Sequence, residues 1–256
     1  DRVAIVLPNG PEMATAFVTV AQAATTAPLN PGYRQEEYEF YLDDLKAKAL
    51  IVEAGYDGPA LAAALQAGLA VLRVEEAEGA PAGQFTLSSE ATGQADTGEP
   101  AAEDVALILH TSGTTSRPKL VPLLQSNVAA SAGNIMTSLE LTPADRCMNV
   151  MPLFHIHGLI AAVSASLAAG ASIWCAPGFD ALRFFGWMKD AKPTWYTAVP
   201  TMHQAILARA GRNAEVIADV KLRFLRSSSA SLPAQVMTAL NEAVGAPVIE
   251  GYGMTE

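Results

Sequence analysis

Apolar residues fall along this chain in short unbroken runs, separated by stretches where they recur every three or four positions. The first pattern marks buried strands and the second marks helices with one apolar face. Strands are predicted at Val3-Ala4-Ile5-Val6-Leu7, Ala27-Pro28-Leu29, Leu50-Ile51-Val52 and 69–74, with helices over 11–24, 34–45 and 61–67. Pro11 suits a first helical turn, where its missing N–H leaves no bond unmade. In 34–45, Tyr38, Tyr41, Leu42 and Leu45 share one face. The alternation of strand and helix implies a mainly parallel sheet. It lapses between 75 and 103, a Gly-, Ala-, Pro- and Glu-rich stretch expected to be a loose connection with a short strand at Phe85-Thr86-Leu87.

The rhythm then resumes. Strands are predicted over 105–109, 120–123, 148–151, 172–175, 195–199, 224–226 and 248–250. Helices are predicted over 126–139, with Ser126 as N-cap, and over 158–168, 181–189, 201–210 and 233–244. The fold class is α/β, with two mainly parallel sheets flanked by helices. A first lobe is expected over 1–145 and a second over 146–256.

Composition narrows the function classes. With 50% hydrophobic and 16% charged residues in 256, the chain is globular rather than disordered. A net charge of −10 disfavours nucleic acid as a partner. The uncharged stretch 158–175 is diluted by Ser164, Ser166, Gly170 and Ser172 and lacks a basic flank, so no membrane span is expected. Cys147 and Cys175 form neither a metal spacing nor a disulfide framework; core thiols and a cytoplasmic location are expected. Trp174, Trp187 and Trp195 read as core residues. The chain starts inside a predicted strand and stops one loop after another, so a piece of a longer protein is expected.

The chemistry concentrates in polar segments that follow predicted strands. The longest is Thr111-Ser112-Gly113-Thr114-Thr115-Ser116-Arg117-Pro118-Lys119. Hydroxyls, a Gly and two cations at one strand end supply what a polyphosphate needs: many donors, close backbone approach and positive charge. It is not a Walker A loop, because the Gly-to-Lys spacing differs and Leu120 follows Lys119. Phe154-His155-Ile156-His157-Gly158, Ser227-Ser228-Ser229-Ala230-Ser231 and Gly251-Tyr252-Gly253-Met254-Thr255-Glu256 complete the set. Ligands of parallel sheets sit beyond the carboxyl ends of the strands, so convergence is expected. Glu256 offers a carboxylate to Mg²⁺, Gly251 and Gly253 admit a flat base, and Tyr252 offers a stacking surface. His155 and His157 lack a third metal ligand, and His157 is read as a cap for the helix that follows it.

Three of these segments, in this order, resemble the signatures of the adenylate-forming superfamily of acyl-CoA synthetases, peptide-synthetase adenylation domains and luciferases. They are Thr111–Lys119, Pro152-Leu153-Phe154-His155-Ile156-His157-Gly158-Leu159, and Gly251–Glu256. The resemblance covers essentially the whole chain and implies the large N-terminal domain of such enzymes, truncated. It implies formation of an acyl-adenylate from a carboxylate and ATP, then of a thioester with coenzyme A. Thr111, Ser112, Gly113, Thr114, Thr115, Ser116 and Lys119 would grip the β- and γ-phosphates. Ser229, Ala230, Gly251, Tyr252 and Gly253 would frame the adenine. Thr255 would touch the α-phosphate, Glu256 would hold Mg²⁺, and His155 would gate the acyl pocket.

Ser116 replaces a common Gly, and Ser228-Ser229-Ala230-Ser231 stands where Gly-Gly-Ala-Pro is common. With Phe154–Gly158, these variants resemble the oxalate–CoA ligase branch, whose small doubly charged acid suits hydroxyls and an imidazole. A medium- or long-chain fatty acyl-CoA synthetase is the alternative, and malonate-type acids come third. Outside enzymes, a non-catalytic nucleotide-binding or interaction module stays open. A nicotinamide-binding reading rests on Gly251-x-Gly253 alone. The superfamily's downstream Asp, hinge and C-terminal lid domain with its Lys have no counterpart in these residues, so the chain alone is expected to be weak or inactive.

Overall fold

The computed structural model describes residues 1–90, 98–111 and 118–256. It divides into two units, Asp1–Ala129 with Thr255–Glu256, and Ala130–Met254.

The first unit carries a seven-stranded sheet of β1 (Arg2–Val6), β2 (Thr25–Pro28), β3 (Ala49–Glu53), β4 (Ala70–Glu75), β5 (Thr86–Ser89), β6 (Val105–Thr111) and β7 (Lys119–Leu124). Its spatial order is β5-β4-β3-β1-β2-β6-β7. The inner pairs are parallel, and the two edge pairs, β4–β5 and β6–β7, are antiparallel. Helices α1 (Pro11–Val20), α2 (Gln35–Leu45) and α3 (Pro59–Gln66) connect the parallel strands. Ala4 and Ile5 on central β1 are fully buried, which is why that strand reads as an unbroken apolar run. Tyr38, Leu42 and Leu45 of α2 enter the core with Leu50 and Ile108, as the helical spacing predicts.

The second unit carries a five-stranded, all-parallel sheet: β8 (Arg146–Asn149), β9 (Ser172–Cys175), β10 (Trp195–Ala198), β11 (Phe224–Ser228) and β12 (Val248–Gly251), ordered β12-β11-β10-β8-β9. The unit boundary falls inside α4 (Gln125–Ser138). A π-helix (His157–Ser164) continues into α5 (Ala165–Ala168), and together they pack on one sheet face over Cys147, Trp195 and Phe224. Next come α6 (Phe184–Ala191), α7 (Pro200–Ala210), α8 (Ala214–Val220) and α9 (Ala234–Val244). They cover the other face, where Phe184, Tyr196, Leu225 and Leu240 meet. Trp195 and Trp187 are buried and Trp174 half-buried, as expected of core residues.

Local chemistry shifts several predicted boundaries. Ser126 lies inside α4 rather than capping it, and Asn127 Oδ1 accepts the Leu124 N–H at 2.9 Å. β8 stops at Asn149, whose side-chain amide bonds both the N–H and the C=O of Met151. α6 starts late because Asp180 Oδ1 accepts the N–H groups of Leu182 and Arg183 in a side-chain turn. α8 buries no residue fully; Val216, Ile217 and Val220 pack only partly buried against the core, a stripe too short to predict the helix from. Among the described residues no helix is long and apolar enough to cross a membrane.

Candidate active site

In the first unit, β6 and β7 form an antiparallel pair that sets Thr111 directly opposite Lys119. A hydroxyl and a cation thus flank the polar segment; Ser112, Gly113, Thr114, Thr115 and Ser116 lie outside the described residues. Glu256 Oε1 is 4.0 Å from Lys119 Nζ. The two side chains are 58% and 44% exposed, so the contact is soft and both groups stay open to a ligand. Just before Thr111, His110 is buried, with Nε2 3.2 Å from Asp44 Oδ2 and Tyr41 edge-on at 4.6 Å. Burial pulls the His110 pKa down, although Asp44 works the other way. This His anchors the strand end; its apolar neighbours hide it in the sequence.

In the second unit, the polar groups gather at the carboxyl ends of the strands. Thr197 on β10 and Arg226 on β11 are register partners, so they project from the same face of the sheet. The first residue of the π-helix, His157, meets them there. Its Nε2 is 2.6 Å from Thr197 Oγ1, and its Nδ1 is 2.9 Å from Ser229 Oγ. Arg226 Nη1 is 3.4 Å from both His157 Nε2 and Thr197 Oγ1. A guanidinium only donates, so Nε2 is the accepting nitrogen and Nδ1 carries the proton toward Ser229. Burial, reinforced by the neighbouring Arg226 charge, lowers the His157 pKa to about 3. The imidazole is therefore neutral and held at both nitrogens. This replaces the reading of His157 as a helix cap, and no pair with His155 is available to a metal.

The turn that places His157 depends on Gly158. A Cβ there would collide with the Pro152 carbonyl, so only Gly lets the π-helix begin against that turn. His155 is exposed and packs on Phe154 at 4.5 Å between ring centres.

The serine loop after β11 is tied to β12. Ser228 Oγ donates to the Gly251 carbonyl at 2.7 Å, and the Leu232 N–H donates to Glu250 Oε1 at 2.8 Å. Ser229 sits at φ 74°, a left-handed conformation, and this aims its hydroxyl at His157. Ser227 Oγ is buried with no hydrogen-bond partner among the described residues. Ala230 and Gly253 are exposed, and Tyr252 is 93% exposed, which leaves its ring free.

The residue that sequence reading passed over is Arg226. It sits in the predicted strand 224–226 and carried no motif. Its guanidinium is desolvated, which lowers its pKa, and no carboxylate is within ion-pair distance among the described residues. The same set contains no group of three or more His, Cys, Asp or Glu able to hold a metal.

A family model described as AMP-binding enzyme matches residues 1–256. Oxalate–CoA ligase of Arabidopsis thaliana is 44% identical over 272 residues, covering 100% of this chain and 51% of that protein. Oxalate–CoA ligase of Saccharomyces cerevisiae is 35% identical, with coverage of 100% and 51%. Among solved structures, ATP-bound MatB of Rhodopseudomonas palustris superposes with a TM-score of 0.83 at 28% identity, covering 100% of this chain and 50% of that one. The chain spans about half the length of the curated relatives it matches.

Proposed function

Because this chain belongs to the AMP-binding enzyme family, we propose that it serves an ATP-dependent acyl-CoA ligase acting on a small dicarboxylic acid, oxalate. The observation that carries the reading is the similarity of the whole chain to oxalate–CoA ligases at 44% and 35% identity, joined to a polar cluster with a cation at the carboxyl ends of the second unit's strands.

The reaction has two halves. A carboxylate oxygen of the acid attacks the α-phosphorus of ATP and pyrophosphate leaves. The thiol of coenzyme A then attacks the acyl carbon, loses its proton, and AMP leaves. Both halves gain from positioning and from stabilising charge on phosphate and carbonyl oxygens. In the first unit, Thr111 and Lys119, with Ser112, Gly113, Thr114, Thr115 and Ser116, bind the β- and γ-phosphates, and Thr255 binds the α-phosphate. Support comes from the pairing of Thr111 with Lys119 and the exposure of the Lys119 ammonium. In the second unit, Ser229, Ala230, Gly251, Tyr252 and Gly253 frame the adenine, and His155 borders the acyl group. Ser229 contributes through its backbone, since its hydroxyl serves His157.

Mg²⁺ fits the groups present. It is commonly held by one or two carboxylates plus substrate phosphates and water rather than by a protein cage. Glu256, an accessible carboxylate beside the phosphate-binding cation, meets that need. The ion would neutralise phosphate charge.

The test is to incubate the full-length protein with ATP, coenzyme A and, in turn, oxalate, malonate and octanoate, and to quantify AMP and thioester. Oxalate is expected to give the highest kcat/KM. Preference for octanoate would overturn the substrate, and no AMP with any acid would overturn the activity.

A further inference from the structure

We propose that Arg226 is the specificity-determining residue that receives the second carboxylate of the acid, with Thr197 beside it and His157 as the positioning group behind. The assignment rests on the acid-activating function above and adds the residue that selects a dicarboxylate.

Arg226 carries a charge that no carboxylate among the described residues balances. Arg226 lies on β11 at the carboxyl end of an all-parallel sheet, on the face that the π-helix covers. Its guanidinium is desolvated, yet the polar groups around it are neutral: Thr197 Oγ1 and His157 Nε2, both at 3.4 Å. These contacts are long, and among the described residues they engage only Nη1 of a group with five N–H donors. The arginine at the other end of the same strand is different. Arg223 meets the Asp145 carboxylate and a backbone carbonyl, so its charge is answered within the chain. A half-buried, desolvated cation without an anion carries a cost, and that cost falls when a ligand brings the anion.

A carboxylate is the anion that suits it. A planar guanidinium takes two carboxylate oxygens at once, while Thr197 Oγ1, whose proton goes to His157 Nε2, accepts from Nη1 and steadies the fork. His157 does not compete for the anion, because its imidazole is neutral and both nitrogens are engaged. It holds Thr197 from behind instead. Gly251 leaves the guanidinium its place, since any side chain there would push on it. A monocarboxylic acid would leave the cation unanswered, and discrimination of that kind is large because a buried polar group is left unpaired.

The experiment uses the full-length protein and its R226M and R226K variants. The readouts are pyrophosphate release with oxalate and with acetate, the KM for ATP, and thermal unfolding. In R226M the oxalate-to-acetate ratio of kcat/KM is expected to fall about 100-fold, with the loss mainly in oxalate KM. R226K keeps the charge without the planar fork and is expected to fall about tenfold. An unchanged ratio in a folded variant, or a parallel loss on both acids, overturns the assignment. If R226M does not fold, R226K decides by the same ratio. A wild-type protein that activates neither acid brings down the acid-activating reading and this assignment with it; an active wild type with an unchanged variant ratio removes this assignment alone.

Discussion

The guanidinium of Arg226 occupies the space where a side chain at Gly251 would begin. A Cβ built on Gly251 would lie 2.5 Å from Arg226 Nη2 and 3.0 Å from Cζ. The obstructing atoms are the far end of a flexible side chain, so the backbone tolerates a methyl group while the cation must move. Gly251→Ala is therefore expected to change stability by no more than about 1 kcal/mol and to raise the oxalate KM about tenfold. Thermal unfolding and steady-state kinetics check this pair of outcomes. A large stability loss with an unchanged KM contradicts it.

His157 links the site to pH. Its folded pKa of about 3 lies below the unfolded value near 6.5, so the unfolded chain binds more protons at mildly acid pH. The stabilisation from the neutral imidazole is complete above about pH 6.5 and is lost as pH falls toward 3. The expected slope is about 1.4 kcal/mol per pH unit for this one group. His157→Gln, which does not titrate there, should flatten urea-unfolding stability between pH 6.5 and 4.5. An unchanged slope would show that the group is not buried neutral.

Ser229 holds a strained backbone to reach His157. A left-handed conformation costs a residue with a Cβ about 1–2 kcal/mol, which glycine avoids. Both Ser229→Gly and Ser229→Ala lose the bond to His157, but only alanine keeps the strain. The glycine variant should be the more stable of the two by about 1 kcal/mol, read from chemical denaturation. Equal stabilities would mean that the loop relaxes away from φ 74°.

At the amino ends of the same sheet, Asp145 is a buried hub. It accepts from the Thr142 N–H at 2.9 Å and from the Thr194 hydroxyl at 2.7 Å, and it pairs with Arg223. Burial works against the charge, but these bonds outweigh it and hold the carboxyl below its usual range. Asp145→Ala should cost about 3 kcal/mol, and Arg223→Ala less, because Arg223 is 39% exposed. A silent Asp145→Ala in a denaturation curve would contradict this.

Much of the architecture was legible because burial writes itself into the chain. β1 reads as an apolar run since both its faces are covered, and α2 shows its Tyr38, Leu42 and Leu45 stripe. The polar segments stood out because they interrupt such runs. Arg226 did not stand out, because one cation at the end of a short strand looks the same whether it meets an acid or none. Only the register with Thr197 and the lack of a carboxylate partner among the described residues reveal its state. The role of His157 was likewise hidden: its partners Thr197 and Ser229 lie 40 and 72 residues away in sequence. The start of the π-helix is packed against the Pro152 carbonyl at Gly158, a steric relation that no apolar periodicity records.

The most direct test of the account follows an oxygen atom. The full-length protein is turned over with ATP, coenzyme A and ¹⁸O-labelled oxalate, and the products are analysed by mass spectrometry. The oxygen that attacks the α-phosphorus stays on phosphorus when the thiol displaces AMP, so each AMP formed should carry one ¹⁸O alongside oxalyl-CoA. AMP without label, or label in inorganic phosphate accompanied by ADP, would contradict activation of the acid through an adenylate.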